Sequence, residues 1–169
     1  MRKLLAAALA ALCALPAAAG EREDRVNEIV LARRNLMAAV GRHMDEIDAM
    51  LEPGRQLDPH EASEHADEIA VLLMAFPHLF PAGSNNWSKA LEQAEPALVT
   101  RAAPAAWKQR RAFEAQARSA SQLATDASRA PDADAFRRRA QALEATCEAC
   151  HQQFRREEKP YSIPIPPHP

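Results

Sequence analysis

The chain has 169 residues, of which 38 are Ala, 4 are Gly and 8 are aromatic (5 Phe, 2 Trp and 1 Tyr). This composition favours helices and disfavours a β fold with many glycine turns. The 21 Lys and Arg residues nearly balance the 23 Asp and Glu residues, and their even spread argues against a nucleic-acid-binding protein. The length predicts one domain, but so few large side chains fill a core poorly, so something else is expected inside it.

Residues 1–19 have the features of a cleaved secretory leader. Met1-Arg2-Lys3 is a basic start, residues 4–15 are apolar, and Pro16 to Ala19 offer a small-residue cleavage site. An apolar run of about 12 residues is too short to cross a bilayer, which needs about 20. We therefore expect export to the periplasm without a membrane span. Lipidation of Cys13 is disfavoured, because a lipoprotein site needs a small residue where Leu12 stands.

The first helix of the mature chain is indicated by inward positions that alternate in steps of three and four. Arg33 interrupts this otherwise apolar stripe. A buried guanidinium is costly unless it is paired, so Arg33 either meets a carboxylate inside or extends its charge to solvent. Met37 and Met44 on the stripe are ordinary core residues unless a metal inside recruits a thioether. The inward positions are Val26, Val30, Arg33, Met37, Val40, Met44, Ile47 and Leu51.

Pro- and Gly-containing turns separate three further predicted helices. Residues 77–103 are the least regular stretch, with one short helical turn at about Lys89–Ala94. The tail at 160–169 holds five prolines and is predicted to be extended and mobile. The sequence therefore predicts an all-α, antiparallel up-down-up-down four-helix bundle over residues 20–159. Its second, third and fourth helices span about Pro59–Phe76, Pro104–Arg129 and Asp134–Glu158.

The residues Cys147-Glu148-Ala149-Cys150-His151 form a C-x-x-C-H motif, which is typical of covalent haem c attachment. On a helix, cysteines at i and i+3 share one face and can form thioethers to two haem vinyl groups. The histidine that follows can then offer a ring nitrogen to the iron. Both cysteines fall on the inward side of the fourth helix. The motif therefore predicts one covalent haem c with His151 as an iron ligand.

Three other interpretations of the motif remain open. The cysteines could be plain core residues beside an incidental histidine. A thioredoxin-like redox pair needs a βαβ setting at a helix N-terminus, which this all-helical segment lacks. A zinc site needs more Cys or His ligands at suitable spacing, and His43, His60, His65 and His78 form no such pattern. No Ser/His/Asp motif or phosphate loop indicates an enzyme.

The opposite side of the iron would take its ligand from upstream, because only 18 residues follow His151. Met37 and Met44 are the inward thioethers among the four available. Haem propionates could supply the carboxylates that a buried Arg33 requires. Arg155, four residues after His151, either covers the proximal side of the haem or is surface charge. The four upstream methionines of the mature chain are Met37, Met44, Met50 and Met74.

Taken together, these segments resemble the class II c-type cytochromes, the cytochrome c′ family. The resemblance covers nearly all of the mature chain, and it rests on RRNLMAAVGRHM, FPHLFPAGS, APAAW and CEACHQQFRR. It implies haem c bound through Cys147 and Cys150, with His151 as the proximal iron ligand. It also assigns Met37 to the distal position, Arg33 to the propionate side, and Phe80 and Arg155 to the surroundings of the haem.

Two functional types follow from this resemblance. One type uses a Met from the first helix as the sixth iron ligand and carries electrons, and the other leaves that position empty and binds NO or CO. We expect a periplasmic monohaem electron carrier with Met37 at the distal position, served by a periplasmic redox partner. The alternative is a five-coordinate gas-binding protein. The resemblance also implies a homodimer formed through the first two helices.

Overall fold

The computed structural model describes residues 2–157, with side chains from Gly20 onward, and confirms the predicted all-α fold. Four long helices form an antiparallel bundle, and two short helices and a 3₁₀ turn lie in the connections. The predicted leader coincides with the first part of α1, and the predicted tail at 160–169 lies outside the described residues. The long helices are α1 (Arg2–Leu51), α2 (Pro59–Ala75), α5 (Arg110–Ser128) and α6 (Ala133–Phe154), and the short elements are α3 (Lys89–Ala94), α4 (Ala105–Lys108) and the 3₁₀ turn Phe76–Leu79.

Side-chain caps and glycines set the ends of the helices. The Asp58 carboxylate accepts hydrogen bonds from the first-turn backbone of α2, including one of 2.9 Å from His60 N. Asp132 caps α6 through a 2.7 Å bond from Ala135 N. Gly54 (φ 84°) and Gly83 (φ 79°) occupy left-handed backbone positions, which side chains disfavour, in the turns after α1 and after the 3₁₀ turn. These residues explain why α1 ends, and α2 and α6 begin, close to the predicted positions.

The first helix runs without a break from Arg2 through the stripe that begins at Val26. The leader is rich in Ala and Leu, which are the strongest helix formers, so the backbone of the uncleaved chain continues the helix through it.

The third predicted helix is instead two helices. Gln109 adopts φ −110° and ψ 43°, which separates α4 from α5. The fourth helix ends at Phe154, earlier than expected, because Arg155 is extended and forms an antiparallel bridge with Ala102. Neighbouring backbone bonds reinforce this bridge, from Ala103 N to Phe154 O at 2.7 Å and from Arg156 N to Arg101 O at 2.8 Å.

The long helices pack in the order α1 on α2, α2 on α5 and α5 on α6. Their shared interior is an alanine-rich cluster, in which half of the buried residues are Ala, and Ala lets helices approach closely. α2 and α5 make the most extensive contact. The buried members of the alanine-rich cluster are Val40, Ile47, Met50, Ala62, Ala66, Ile69, Ala70, Leu73, Ala120, Ala124, Ala127, Phe136, Ala140 and Leu143.

A second, aromatic cluster fills the opposite end of the bundle, next to the 3₁₀ turn and α4. Phe80 and Phe113 lie at its centre, with ring centroids 4.6 Å apart. Phe113 also meets Phe154 of α6 edge-on at 5.2 Å. The buried members are Phe80, Ala106, Phe113 and Phe154, and Phe76, Leu79, Ala102, Ala105, Trp107 and Cys150 pack against them.

Candidate functional site

The last two turns of α6 place the motif at the boundary between the two clusters. Cys147 packs against the alanine-rich cluster, whereas Cys150 packs against the aromatic cluster. Both are half-buried free thiols, and they point inward as the spacing predicted. His151 lies at the surface in the last turn of the same helix. The last two turns of α6 therefore present two sulfur atoms where the two parts of the core meet, with an imidazole at the adjoining surface.

The protonation chemistry of these groups separates two of the interpretations. Burial, and secondarily the Glu144 charge, raises the pKa of Cys147. Burial, followed by the neighbouring Cys147, raises the pKa of Cys150 to about 11. A redox-active pair of the thioredoxin type needs a lowered thiol pKa, so this setting disfavours it. Desolvation, followed by the Arg155 charge, lowers the pKa of His151 and favours the neutral imidazole that binds metals.

Arg33 is buried, with 5% of its surface exposed, so the alternative in which it extends to solvent is wrong. Its guanidinium donates to Leu79 O at 2.6 Å and to Ser84 O at 3.1 Å. It also donates to Thr100 Oγ1 at 3.3 Å and to the Ser84 hydroxyl. Neutral oxygens of the connection between α2 and α4 thus satisfy a charge for which the sequence predicted a carboxylate partner.

The same guanidinium lies over the aromatic cluster. Its Cζ is 4.2 Å from the ring centroid of Phe80 and 5.1 Å from that of Trp107. Burial lowers the pKa of Arg33 to about 10, so the side chain stays charged at neutral pH. Arg33 therefore holds α1 to the connection and to the aromatic cluster, and it brings Phe80 into contact with α1.

Met37 lies one turn after Arg33, is half-buried and packs against the alanine-rich cluster, to which Cys147 of α6 also packs. Met44 packs there as well. The structure thus brings a helix-one thioether and a motif cysteine to the same cluster. Arg155 stands just after α6, where its backbone N–H donates to His151 O at 3.0 Å.

Sequence reasoning missed the partners of Arg33. Ser84 is 2% exposed and Thr100 is also 2% exposed, which is unusual for hydroxyl residues in an irregular connection. The only sequence signal was the unexplained charge of Arg33 on an apolar stripe, which required polar partners without naming them. The contact of Arg33 with the Trp107 ring was likewise not predicted.

The zinc alternative can be compared with the geometry directly. Within residues 2–157, no group of three or more His, Cys, Asp or Glu side chains is arranged to hold a metal ion. His43 and His65 nevertheless meet across the α1–α2 contact, with their Nδ1 atoms 2.9 Å apart. The separation of 22 residues along the chain had concealed this pair.

The donor set fits a covalently attached haem. Two reduced thiols share one side of α6, and an imidazole whose pKa is lowered follows at the next position, which is the ligand chemistry of haem c. Apolar side chains flank one thiol and aromatic side chains flank the other. In the described part of the chain, α1 makes no extensive backbone contact with α6. Helix α1, which carries Met37, and helix α6, which carries the motif, are therefore not packed closely against each other.

Comparisons with known proteins agree with this chemistry. A family model described as "Cytochrome C'" matches residues 28–155. A cytochrome c' from Rhodospirillum rubrum is 28% identical over 157 residues, which cover 91% of this chain and 97% of the relative. A cytochrome c' from Pararhodospirillum photometricum is 29% identical over 126 residues, which cover 73% and 92%.

Solved structures give the same result for the fold. The crystal structure of cytochrome c' from Thermochromatium tepidum matches with a TM-score of 0.67 and 22% identity, covering 78% of this chain and 97% of that one. Among the residues that the structure describes, no helix is both long and apolar enough to cross a membrane. The family model spans three of the four long helices completely and all of the attachment motif, so the chain belongs to the cytochrome c′ family and is a haem c protein.

Proposed function

We propose that this protein is an exported, periplasmic monohaem electron carrier in which Cys147 and Cys150 hold haem c and His151 and Met37 ligate its iron. One observation carries the proposal: Met37 of α1 and Cys147 of α6 pack against the same cluster, while the helices themselves stay apart. When bound, haem c supplies an iron that gains and loses one electron. The leader-like segment at 1–19 supports export.

The chain's own residues would then have separate roles. The two cysteines fix the haem covalently, and the neutral imidazole of His151 offers a nitrogen lone pair to the iron. The soft thioether of Met37 favours the reduced iron and excludes other ligands, which suits electron transfer. Phe80 and Arg155 form part of the surroundings of the haem and shield it. Four of the five N–H groups of Arg33 already donate to protein oxygens, so contact with a propionate would use the fifth.

The second candidate is a five-coordinate protein that binds NO or CO. Two observations favour it: the curated relatives are both named cytochrome c', and Met37 has apolar packing partners of its own. In this case Met37 is a core residue that crowds one side of the iron. In either case the activity is that of an electron carrier or gas-binding haem protein rather than of an enzyme.

Visible spectra of the holoprotein, oxidised, reduced and reduced under CO, distinguish the two candidates. For the electron carrier we expect a low-spin ferric spectrum with a thioether-to-iron charge-transfer band and no response to CO. Met37→Ala should then become high-spin and bind CO. Met44→Ala is the matched control, because Met44 lies on the same stripe of α1 and packs against the same cluster. It should leave the spectrum unchanged.

A high-spin ferric spectrum with rapid CO binding by the unchanged protein would contradict Met37 ligation and support gas binding. A Met44→Ala spectrum that loses the thioether band, while Met37→Ala keeps it, would move the ligand to Met44. An exported protein whose mass shows no added haem would contradict both candidates.

We also infer a homodimer formed through α1 and α2. Val71 and Met74 are 62% and 60% exposed, three residues apart on α2, and Leu31 of α1 is 41% exposed. Exposed apolar side chains of this size often mark an interface. Sedimentation of the holoprotein should show a dimer that Val71→Glu converts to a monomer, whereas Glu64→Gln on the same helix should not. A monomeric unmodified protein would contradict this inference.

A further inference from the structure

His43 of α1 and His65 of α2 form a pair outside the haem attachment motif. Their Nδ1 atoms are 2.9 Å apart, their ring centroids are 5.2 Å apart, and the ring planes are tilted by 51°. Both residues are half-buried. The centroid separation is about the N···N distance plus two ring radii, so the two nitrogens point almost directly at each other. Both Nδ1 atoms therefore point into the same small space between α1 and α2.

A single proton occupies that volume. One nitrogen must donate and the other accept, since two N–H groups cannot face each other at this distance. The carboxylate of Glu68 lies 3.5 Å from Nε2 of His43, on the far side of the ring. A carboxylate in this position favours a proton on Nε2, which leaves Nδ1 of His43 as the lone-pair nitrogen.

We propose that His43 and His65 form a binding site for a divalent transition-metal ion, and for Cu²⁺ in preference to others, with the ion replacing the shared proton, which moves to Nε2 of His65 so that both imidazoles stay neutral. Two nitrogen ligands at right angles, each with a bond of about 2.05 Å, are about 2.9 Å apart, whereas tetrahedral ligands are about 3.3 Å apart. The separation of 2.9 Å, which the hydrogen bond sets in the metal-free pair, is close to that of adjacent ligands of a tetragonal ion. Cu²⁺ also binds nitrogen ligands most tightly among the first-row divalent ions.

Binding requires only a small adjustment of the side chains. The two nitrogens already have the separation of neighbouring ligands, and each ring must tilt so that the lone pairs converge instead of meeting head-on. The χ2 torsion of histidine is broad, so this rotation is inexpensive. Solvent completes the coordination, because the described residues near the pair supply no third ligand group. Glu68 then stays outside the coordination sphere and holds the His43 ring through Nε2.

The test uses the ferric holoprotein, treated with a chelator and titrated with Cu²⁺. We expect saturable binding of one ion per chain, a rise in melting temperature because the ion binds only the folded α1–α2 contact, and paramagnetic resonance with coupling to two nitrogens. His43→Gln and His65→Gln should each abolish the rise and the two-nitrogen signal. Glu68→Gln should weaken binding by about 10- to 100-fold.

His60→Gln is the matched control. His60 is also on α2, is exposed, and lies 3.5 Å from Glu64 in a comparable histidine–carboxylate contact, but it has no facing imidazole. This variant should bind Cu²⁺ as the unchanged protein does. The haem spectrum of each variant reports that the bundle has folded.

Two results would overturn the proposal. The first is Cu²⁺ binding of unchanged affinity in both His43→Gln and His65→Gln. The second, which needs no variant, is the absence of two-nitrogen coupling in the unmodified protein at saturating Cu²⁺. Neither readout depends on which residue ligates the haem iron, so the copper site and the haem function are tested separately.

Discussion

The two ends of the bundle are built by different means. The alanine-rich cluster gains stability from helices that approach closely over small side chains, and its one phenylalanine is Phe136. The aromatic cluster contains the other four phenylalanines and Trp107, and the buried guanidinium of Arg33 connects it to α1. At the alanine-rich end the helices pack with their backbones close together. At the aromatic end, large rings and long-range hydrogen bonds hold the helices together.

The position of the attachment motif explains this difference. Cys147 packs against the first end and Cys150 against the second, so a haem held by both cysteines would lie where the two kinds of packing meet. A flat, rigid macrocycle needs space between helices, which alanines provide, and ring contacts, which phenylalanines provide. The low aromatic content of the chain is therefore concentrated at one end instead of spread through the bundle.

The largest expected effect comes from removing the haem that joins the two ends. The double variants Cys147→Ser with Cys150→Ser, and Cys147→Ala with Cys150→Ala, should both lack haem and melt at much lower temperature than the holoprotein. Loss of haem leaves an underpacked boundary. Circular dichroism should show a larger loss of the near-ultraviolet aromatic signal than of helicity.

The two double variants control for each other, since only one of them adds hydroxyl groups to the core. Equal melting temperatures of haem-free and haem-containing protein would contradict the idea that haem completes the core.

A smaller effect distinguishes the two clusters from each other. Phe113→Ala and Phe136→Ala each remove a buried ring, with 2% and 3% of its surface exposed, and should each lower the free energy of unfolding by about 3–5 kcal/mol. Phe113→Ala should alter the haem spectrum more, because Phe113 contacts the rings of Phe80 and of Phe154, which stands three residues after His151, whereas Phe136 lies about three helical turns before the motif. Urea unfolding and visible spectra measure the two quantities. Equal changes of the haem spectrum in the two variants would contradict this difference between the two clusters.

The smallest effect concerns the hydrogen bonds from α1 to the connection. Arg33→Met should cost about 2–3 kcal/mol, since Leu79 O and Ser84 O lose a buried donor. Arg34→Met is matched to it, because Arg34 also donates to connection carbonyls, Pro96 O and Ala97 O, each at 2.8 Å, but in an exposed setting. It should cost less than about 1 kcal/mol. Equal losses in urea unfolding would show that burial is not what gives Arg33 its effect.

The sequence predicted the long helices well where local chemistry decides. Asp58 and Asp132 cap their helices in the structure, and α3 has the predicted bounds of Lys89–Ala94. It did not predict the break at Gln109 or the early end of α6. The early end of α6 depends on the bridge between Arg155 and Ala102, which no local pattern reveals.

The candidate site also has one part that the sequence predicted and another part that it did not. Cys147, Cys150 and His151 are visible as one motif because five consecutive residues carry the chemistry. The partners of Arg33 lie 46 to 67 residues away along the chain, so a sequence shows that the charge needs partners but not which ones. The spacing of His43 and His65 likewise acquires meaning only when α1 and α2 are packed.

The short bridge between Ala102 and Arg155 has a consequence for the order of assembly. It joins the strand-like segment before α4 to the residues just after the attachment motif, 53 positions later. α1, α2 and α5 can pack without it, but the bridge closes only when the last helix has arrived. Slow hydrogen exchange at the amides of Ala103 and Arg156, which donate to Phe154 O and Arg101 O, would therefore report that assembly is complete.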